Sequence, residues 1–351
     1  MRRSLGAFLR ARTHRSEGGA AAVAALALRA AALLRGGVRP GQLWGTIADT
    51  SGTRGPSARR GQTTAGTGSA GRRSAGHRLA APRSAGAGSA ELGVLARGIA
   101  ALVAAGTPVE HALAAQPDPP WRVLAAAWRL AEQSGAPLAP ALERIGTACA
   151  ELARLDERRS VLLAGPRATV RLVLALPVLA FGLGAALGFD PFAVLLTGPG
   201  AALLCGGSAL MGAGIAWTRA LHRQAERADT VAGLECELLW VALGGGAAPA
   251  QARLRTADAV DALAAEWVPL ERFCRGELLD TTLATAAGTG AALGPLLLAE
   301  AGAARLRAEA QLERDAERFG VRILLPLGCC VLPAFVATGV APVVLSMLGG
   351  L

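Results

Sequence analysis

The chain has 351 residues, 52% of them apolar, 18% charged and 4% aromatic, a balance too oily and too poor in charge for an ordinary soluble protein of this length. Its formal net charge is +10 and all 36 basic residues are arginine, which excludes a phosphate-binding P-loop, because that motif needs lysine. The six cysteines, Cys149, Cys205, Cys236, Cys274, Cys329 and Cys330, include no C-x-x-C pair, and neighbours on a helix point about 100° apart, so neither a redox motif nor a metal centre is indicated.

Residues 1–49 begin with a basic stretch (Arg2, Arg3, Arg10, Arg12, Arg15), followed by an apolar run from Ala20 to Leu34 that Arg29 interrupts. If this run crossed a bilayer with its arginines inside, the region after it would lie outside, against the charges that flank the later runs. It therefore reads as an interfacial or degenerate helix. Residues 50–90 are dominated by Ser, Gly, Thr, Ala and Arg and hold no acid, so this segment reads as a disordered basic tether. Within it, "GTGSAG", Gly66 to Gly71, fits G-x-G-x-x-G only literally, since no strand precedes it. The tether's arginines have no aromatic interleaving, which speaks against nucleic acid as a partner.

Helical punctuation follows. "AALVAAGTPVEHAL" ends one helix near Gly106 and starts another, with Thr107 as N-cap and Pro108 at the first helical position. "QPDPPWRVLAAAWRLAEQSG" repeats the device, with Asp118 before Pro119 and Pro120 and a stop at Gly135; Trp121, Leu124 and Trp128 share one face and read as core. A further helix runs from Pro137 through "LAPALERIGTACAELARLDERRS".

Three runs are long and uncharged enough to span a bilayer: about 172–189 and 199–217, joined at "FDPF", and about 323–348. None carries a charged face, so lipid is the solvent they predict. Arg158, Arg159, Arg167 and Arg171 precede the first, Arg219, Arg223 and Arg227 follow the second, and Arg314, Arg318 and Arg322 precede the third. By the positive-inside rule the regions up to about 170 and from 219 to 322 are cytoplasmic, with the hairpin tip and Leu351 outside. Pro177, Pro326, Pro333 and Pro342 lie in or near the spans and predict kinked helices; each would cost about 3 kcal/mol in a soluble core helix.

The plan occurs twice. "SGAPLAPAL", an acidic and basic helix "ACAELARLDERRS" and "RLVLALPVLAF" correspond to "TGAALGPLL", "RLRAEAQLERDAERFG" and "RILLPLGCCVLPAF". Gly135 then matches Gly290, Pro177 matches Pro333, and further upstream, after Gly106, Pro108 matches Pro249. The expected architecture is all-α and polytopic, with two repeated cytoplasmic helical bundles and about three transmembrane helices, divided at 91–218 and 219–351.

These segments resemble the type II secretion system F domain family, in particular the platform proteins of Tad (Flp) pili. The first half, with "AAGTPVEHAL", "AEQSGAPLAPALERIG" and "LPVLAFGLGAALGFDPFAVLLTGPGAALL", is TadB-like. The second, with "ERDAERFGVRILLPLGCCVLPAFVATGVAPVVLSML", is TadC-like. The resemblance spans about residues 91 to 348 and departs from the family in having fewer membrane helices and two fused halves. It implies an inner-membrane protein without catalytic residues or cofactors that sits above a hexameric secretion ATPase, as a dimer, and helps to insert or extract pilin or pseudopilin. Glu151, Asp156 and Glu157 in the first bundle, and Glu313, Asp315 and Glu317 in the second, are the candidate contacts for the ATPase, a solvated helix surface being the plainer reading of such charges.

An enzyme is not expected, since His14, His77, His111 and His222 are scattered and neither G-x-S-x-G nor H-E-x-x-H occurs. The competing class is a multi-pass transporter or permease component, but no ionisable residue lies within the three runs to mark a substrate path.

Overall fold

The computed structural model describes residues 2–52, 84–162, 198–225, 231–265 and 267–341, with Ala175, Leu179, Gly182, Ala186 and Val344 besides. No strand occurs among the described residues, and the architecture is all-α. The first predicted span, 172–189, therefore lies outside the described residues apart from Ala175, Leu179, Gly182 and Ala186, as do Pro177, Pro342 and residues 53–83 of the predicted tether. Residues 84–90, placed in that tether from composition, instead begin a helix at Ser84.

The chain divides into two compact units. Unit 1 comprises Met1–Ala153 and Gly233–Gly302; unit 2 comprises Arg154–Ala232 and Ala303–Leu351. Helices α1 (Arg2–Arg35), α2 (Leu43–Gly52), α3 (Ser84–Ala104), α4 (Val109–Ala114) and α5 (Pro119–Ser134) lie in unit 1, and α6 (Leu138–Leu162) starts there. Helix α7 (Gly198–Ala225) is in unit 2; α8 (Leu234–Leu243), α9 (Pro249–Ala262), α10 (Glu271–Arg275) and α11 (Glu277–Thr289) return to unit 1, and α12 (Leu293–Arg322) has residues in both.

Unit 1 is built round α5. Its first two residues are prolines, whose missing N–H groups are unpaired in any first helical turn, and it ends at Gly135, whose φ of 73° is a left-handed conformation that glycine adopts without a Cβ penalty. Trp121, Leu124 and Trp128 are buried, as their spacing predicts, and so are Val123 and Ala125–Ala127 on the remaining faces. The cover comes from both halves of the sequence, since α1, α4, α8 and α9 all pack on α5. The segment 20–34 lies in α1, where Val23, Leu26, Ala27 and Ala30 are buried by protein. A Cβ on Gly146 of α6 would meet Ala27 Cβ at 3.1 Å and Leu28 Cγ at 3.0 Å, so glycine there lets α1 approach closely. Trp44 of α2 stacks obliquely on Trp128, with ring centroids 6.0 Å apart.

The turn after α3 differs from the sequence expectation by one residue. Gly106 N–H donates to Val103 O and Thr107 N–H to Leu102 O, the paired bonds of a Schellman stop. Thr107 is thereby used to close α3, and the residue capping α4 is Pro108.

In unit 2, α7 begins beside Pro199, where the second span was expected to start, and continues to Ala225. Among the described residues one helix is long and apolar enough to cross a membrane, Leu293–Thr338; its apolar window has a mean hydropathy of 2.0 and is 33% buried. A bent pair, Gly19–Arg35 with Pro40–Thr50 at 119°, passes the same test of length and composition if taken as one segment, although much of it is core of unit 1. Phe319, Ile323 and Leu327 form a buried cluster on which Leu221 of α7 packs. The prolines of the long helix are absorbed by changes of winding. Pro326 is followed by a π segment, Leu327–Val331, and Pro333 by a second, Val336–Val340.

Candidate docking surface and its charged helices

The repeat positions Gly106, Pro108, Gly135, Pro249 and Gly290 are exposed at helix ends of unit 1. Gly135 and Gly290 share more than a left-handed backbone, with φ of 73° and 71°. The residue before each turns its hydroxyl back onto the helix: Ser134 Oγ donates to Leu130 O and Thr289 Oγ1 to Thr285 O, both at 2.7 Å. Each hydroxyl oxygen then accepts from the residue two further on, Ala136 N–H and Ala291 N–H, both at 3.3 Å. The same local chemistry thus ends α5 and α11. Gly106 and Gly246 are likewise both left-handed, at φ 90° and 83°, and precede Pro108 and Pro249 respectively. The loop containing Gly246 runs so close to α5 that a Cβ on Gly245 would overlap the carbonyl of Ser134.

The six acidic candidates lie on two helices. Glu151 is half-buried on α6 within unit 1; Asp156 and Glu157 follow on the same helix in unit 2. On α12 in unit 2, Glu313 and Glu317 are exposed and Asp315 is half-buried. Unit 2 brings the two helices together through Arg158, which pairs with Glu309 and, at 2.9 Å, with Glu313. Arg318 approaches Asp315 at 4.0 Å, one turn along α12. Arg158 is 53% exposed, so this bridge is screened and is worth at most about 1 kcal/mol.

Two pairs that the sequence did not reveal lie on α8. Its acids Glu235 and Glu237 are buried in a helix otherwise almost wholly apolar. Arg144 of α6 grips Glu237 with a two-pronged contact, Nε to Oε2 at 2.5 Å and Nη2 to Oε1 at 2.6 Å. Arg272 of α10 reaches Glu235 at 3.3 Å. The hydrogen bonds to Glu237 raise the Arg144 pKa above its ordinary value, against burial, which lowers it, and with additional attraction from Glu237 and Glu151. Residues 93 positions apart leave no periodic signal; the only clue was the presence of two acids in the apolar string "LECELLWVAL". Among the described residues no group of three or more His, Cys, Asp or Glu could hold a metal ion.

No curated protein and no solved structure matches the chain. A family does. Residues 80–185, from just before α3 through α6 into the first apolar run, match the family described as type II secretion system (T2SS), protein F, in agreement with the resemblance of "AAGTPVEHAL" and "AEQSGAPLAPALERIG" to that family.

Proposed function

We propose that this chain is an inner-membrane platform protein of a Tad/Flp-type pilus or type II secretion-like machine, with a TadB-like half fused to a TadC-like half. In this reading the helical bundles face the cytoplasm and bind a hexameric secretion ATPase, and about three apolar helices cross the membrane. Work done by the ATPase is passed to pilin or pseudopilin, with the protein acting as a dimer, without cofactor or nucleic acid. The observation that carries the reading is the family match over residues 80–185 in a chain that also has a helix, Leu293–Thr338, with an apolar window long enough to span. The paired turns at Gly135 and Gly290 support duplication of the bundle.

The test is capture of a co-expressed hexameric secretion ATPase by the tagged full-length protein in detergent. Co-elution lost on charge reversal of Glu151, Asp156 and Glu157, or of Glu313, Asp315 and Glu317, is the expected result. A folded full-length chain that never retains the ATPase overturns the reading. Topology is checked separately: a reporter fused at Asp190 should be active outside the cytoplasm and one at Gln251 inside it.

A further inference from the structure

The long helix ending in unit 2 changes winding twice. Leu332 N–H bonds back to Leu327 O and Ala341 N–H to Val336 O, five residues in each case, where an α-helix would use four. Each π segment holds one residue more than an α turn requires, and such segments concentrate at functional sites in helices. Pro326 and Pro333 remove the N–H groups that would bond the carbonyls of Arg322 and Cys329, so a regular α ladder would lack those two bonds in any case. That narrows the energy difference between π and α winding here. Thr338 offers a further substitute donor, its hydroxyl giving a 2.8 Å bond to Ala334 O inside the second segment.

The partner helix is shaped to this feature. Opposite the first π segment stands Gly214 of α7, where a Cβ would meet Cys330 Cβ at 3.0 Å and Val331 Cγ2 at 3.1 Å. Opposite the second stands Gly207, where a Cβ would overlap Thr338 Cγ2 and meet Ala334 O and Ala337 Cβ at 3.5 Å. Glycines two turns apart thus leave smooth backbone under both segments. On its other faces the helix exposes Leu324, Leu325, Leu332 and Val336, which do not interlock with α7.

We propose that this helix is a jointed shaft: the π segments 327–331 and 336–340 are joints that exchange between π and α winding, turning Leu332–Phe335 between them while the contact with α7 stays closed. Conversion of one π turn to α rotates the adjoining helix by about 100° and moves it by about 1.5 Å. Both joints are wide in the structure, and the two states with a single tight joint, the first or the second, share the phase of the helix beyond both and differ only in the piece between. This goes beyond the platform reading and does not depend on it.

The test uses the full-length chain in lipid nanodiscs, spin-labelled on genetically encoded amino acids so that the native cysteines are left alone. Distances are measured by double electron–electron resonance between Ala209 on α7 and Leu332, which lies between the joints, and between Ala209 and Val321, which lies before both. The 209–332 distribution should have two components and the 209–321 distribution one. Pro333→Ala, which restores an α-helical donor, should collapse the pair to one, and Pro326→Ala provides the same comparison at the other joint if that variant does not fold. A single 209–332 component in the unmodified chain overturns the proposal. So do two components that neither proline variant shifts. Neither ATPase nor pilin is needed, so failure here is distinct from failure of the platform reading.

Discussion

Single residues in unit 1 separate conformational cost from packing cost. Gly135 and Gly290 have left-handed backbones, yet a Cβ at either would meet nothing within 4 Å. Alanine at each should therefore cost only the backbone penalty, about 1 kcal/mol. Ala264 is the converse, a non-glycine residue at φ 46° closing α9, with Ala264 N–H on Asp261 O and Ala265 N–H on Val260 O. Ala264→Gly should be neutral to stabilising by up to about 1 kcal/mol, read as a shifted denaturant midpoint. The ion pairs give a sharper contrast. Removing Arg144 takes the two-pronged guanidinium contact away from Glu237, whose side chain is 0% exposed, and should cost about 3–5 kcal/mol. Removing Arg158 from its exposed bridge should cost less than about 1 kcal/mol. Equal losses in the two variants would contradict the assignment of one pair to the core and the other to the surface.

Among the elements, the helix starts and stops were the legible part. Pro119, Pro120 and Gly135 bound α5 where local backbone chemistry requires, and the buried face of Trp121, Leu124 and Trp128 follows from helical period alone. Less legible was Thr107, because the same residue can cap the next helix or complete the Schellman stop of the last, and only the hydrogen bonds decide. Composition gave no warning that Ser84 starts α3, since alanine, glycine and serine serve helix and tether alike. Nor could it tell an apolar helix solvated by lipid from one covered by protein, which is why the burial of residues 20–34 against α5 and Gly146 was not read from the sequence. Gly146→Leu tests that packing. The added side chain has no room beside Ala27 and Leu28, so α1 should detach, seen as faster tryptic cleavage at Arg29 and Arg35, whereas Gly98→Leu on α3, with nothing within 4 Å of its would-be Cβ, should leave cleavage unchanged.

For the whole molecule, the repeat in the sequence and the compact units in space follow different divisions. A boundary at 218/219 separates the halves by resemblance, yet α5 of the first half is covered by α8 and α9 of the second within unit 1. Such long-range pairing is invisible to periodicity, which reports which face is buried and never what buries it. A fragment of residues 1–218 lacks the apolar helix α8 that covers Trp-bearing α5, so it should aggregate when expressed alone and gain solubility when residues 219–351 are co-expressed. Recovery of a monodisperse 1–218 fragment with full helical circular dichroism would count against an interdependent unit 1.

The oblique pair of Trp44 and Trp128 has a spectroscopic corollary. Two indole chromophores inclined at 40° with centres 6.0 Å apart couple their ultraviolet transitions, and one ring belongs to the leading helices while the other belongs to the hub they rest on. Near-ultraviolet dichroism of the unlabelled protein thus carries a native gauge of whether that leading segment is seated, and Trp44→Phe should remove the contribution of this pair while the bands of the other four tryptophans stay.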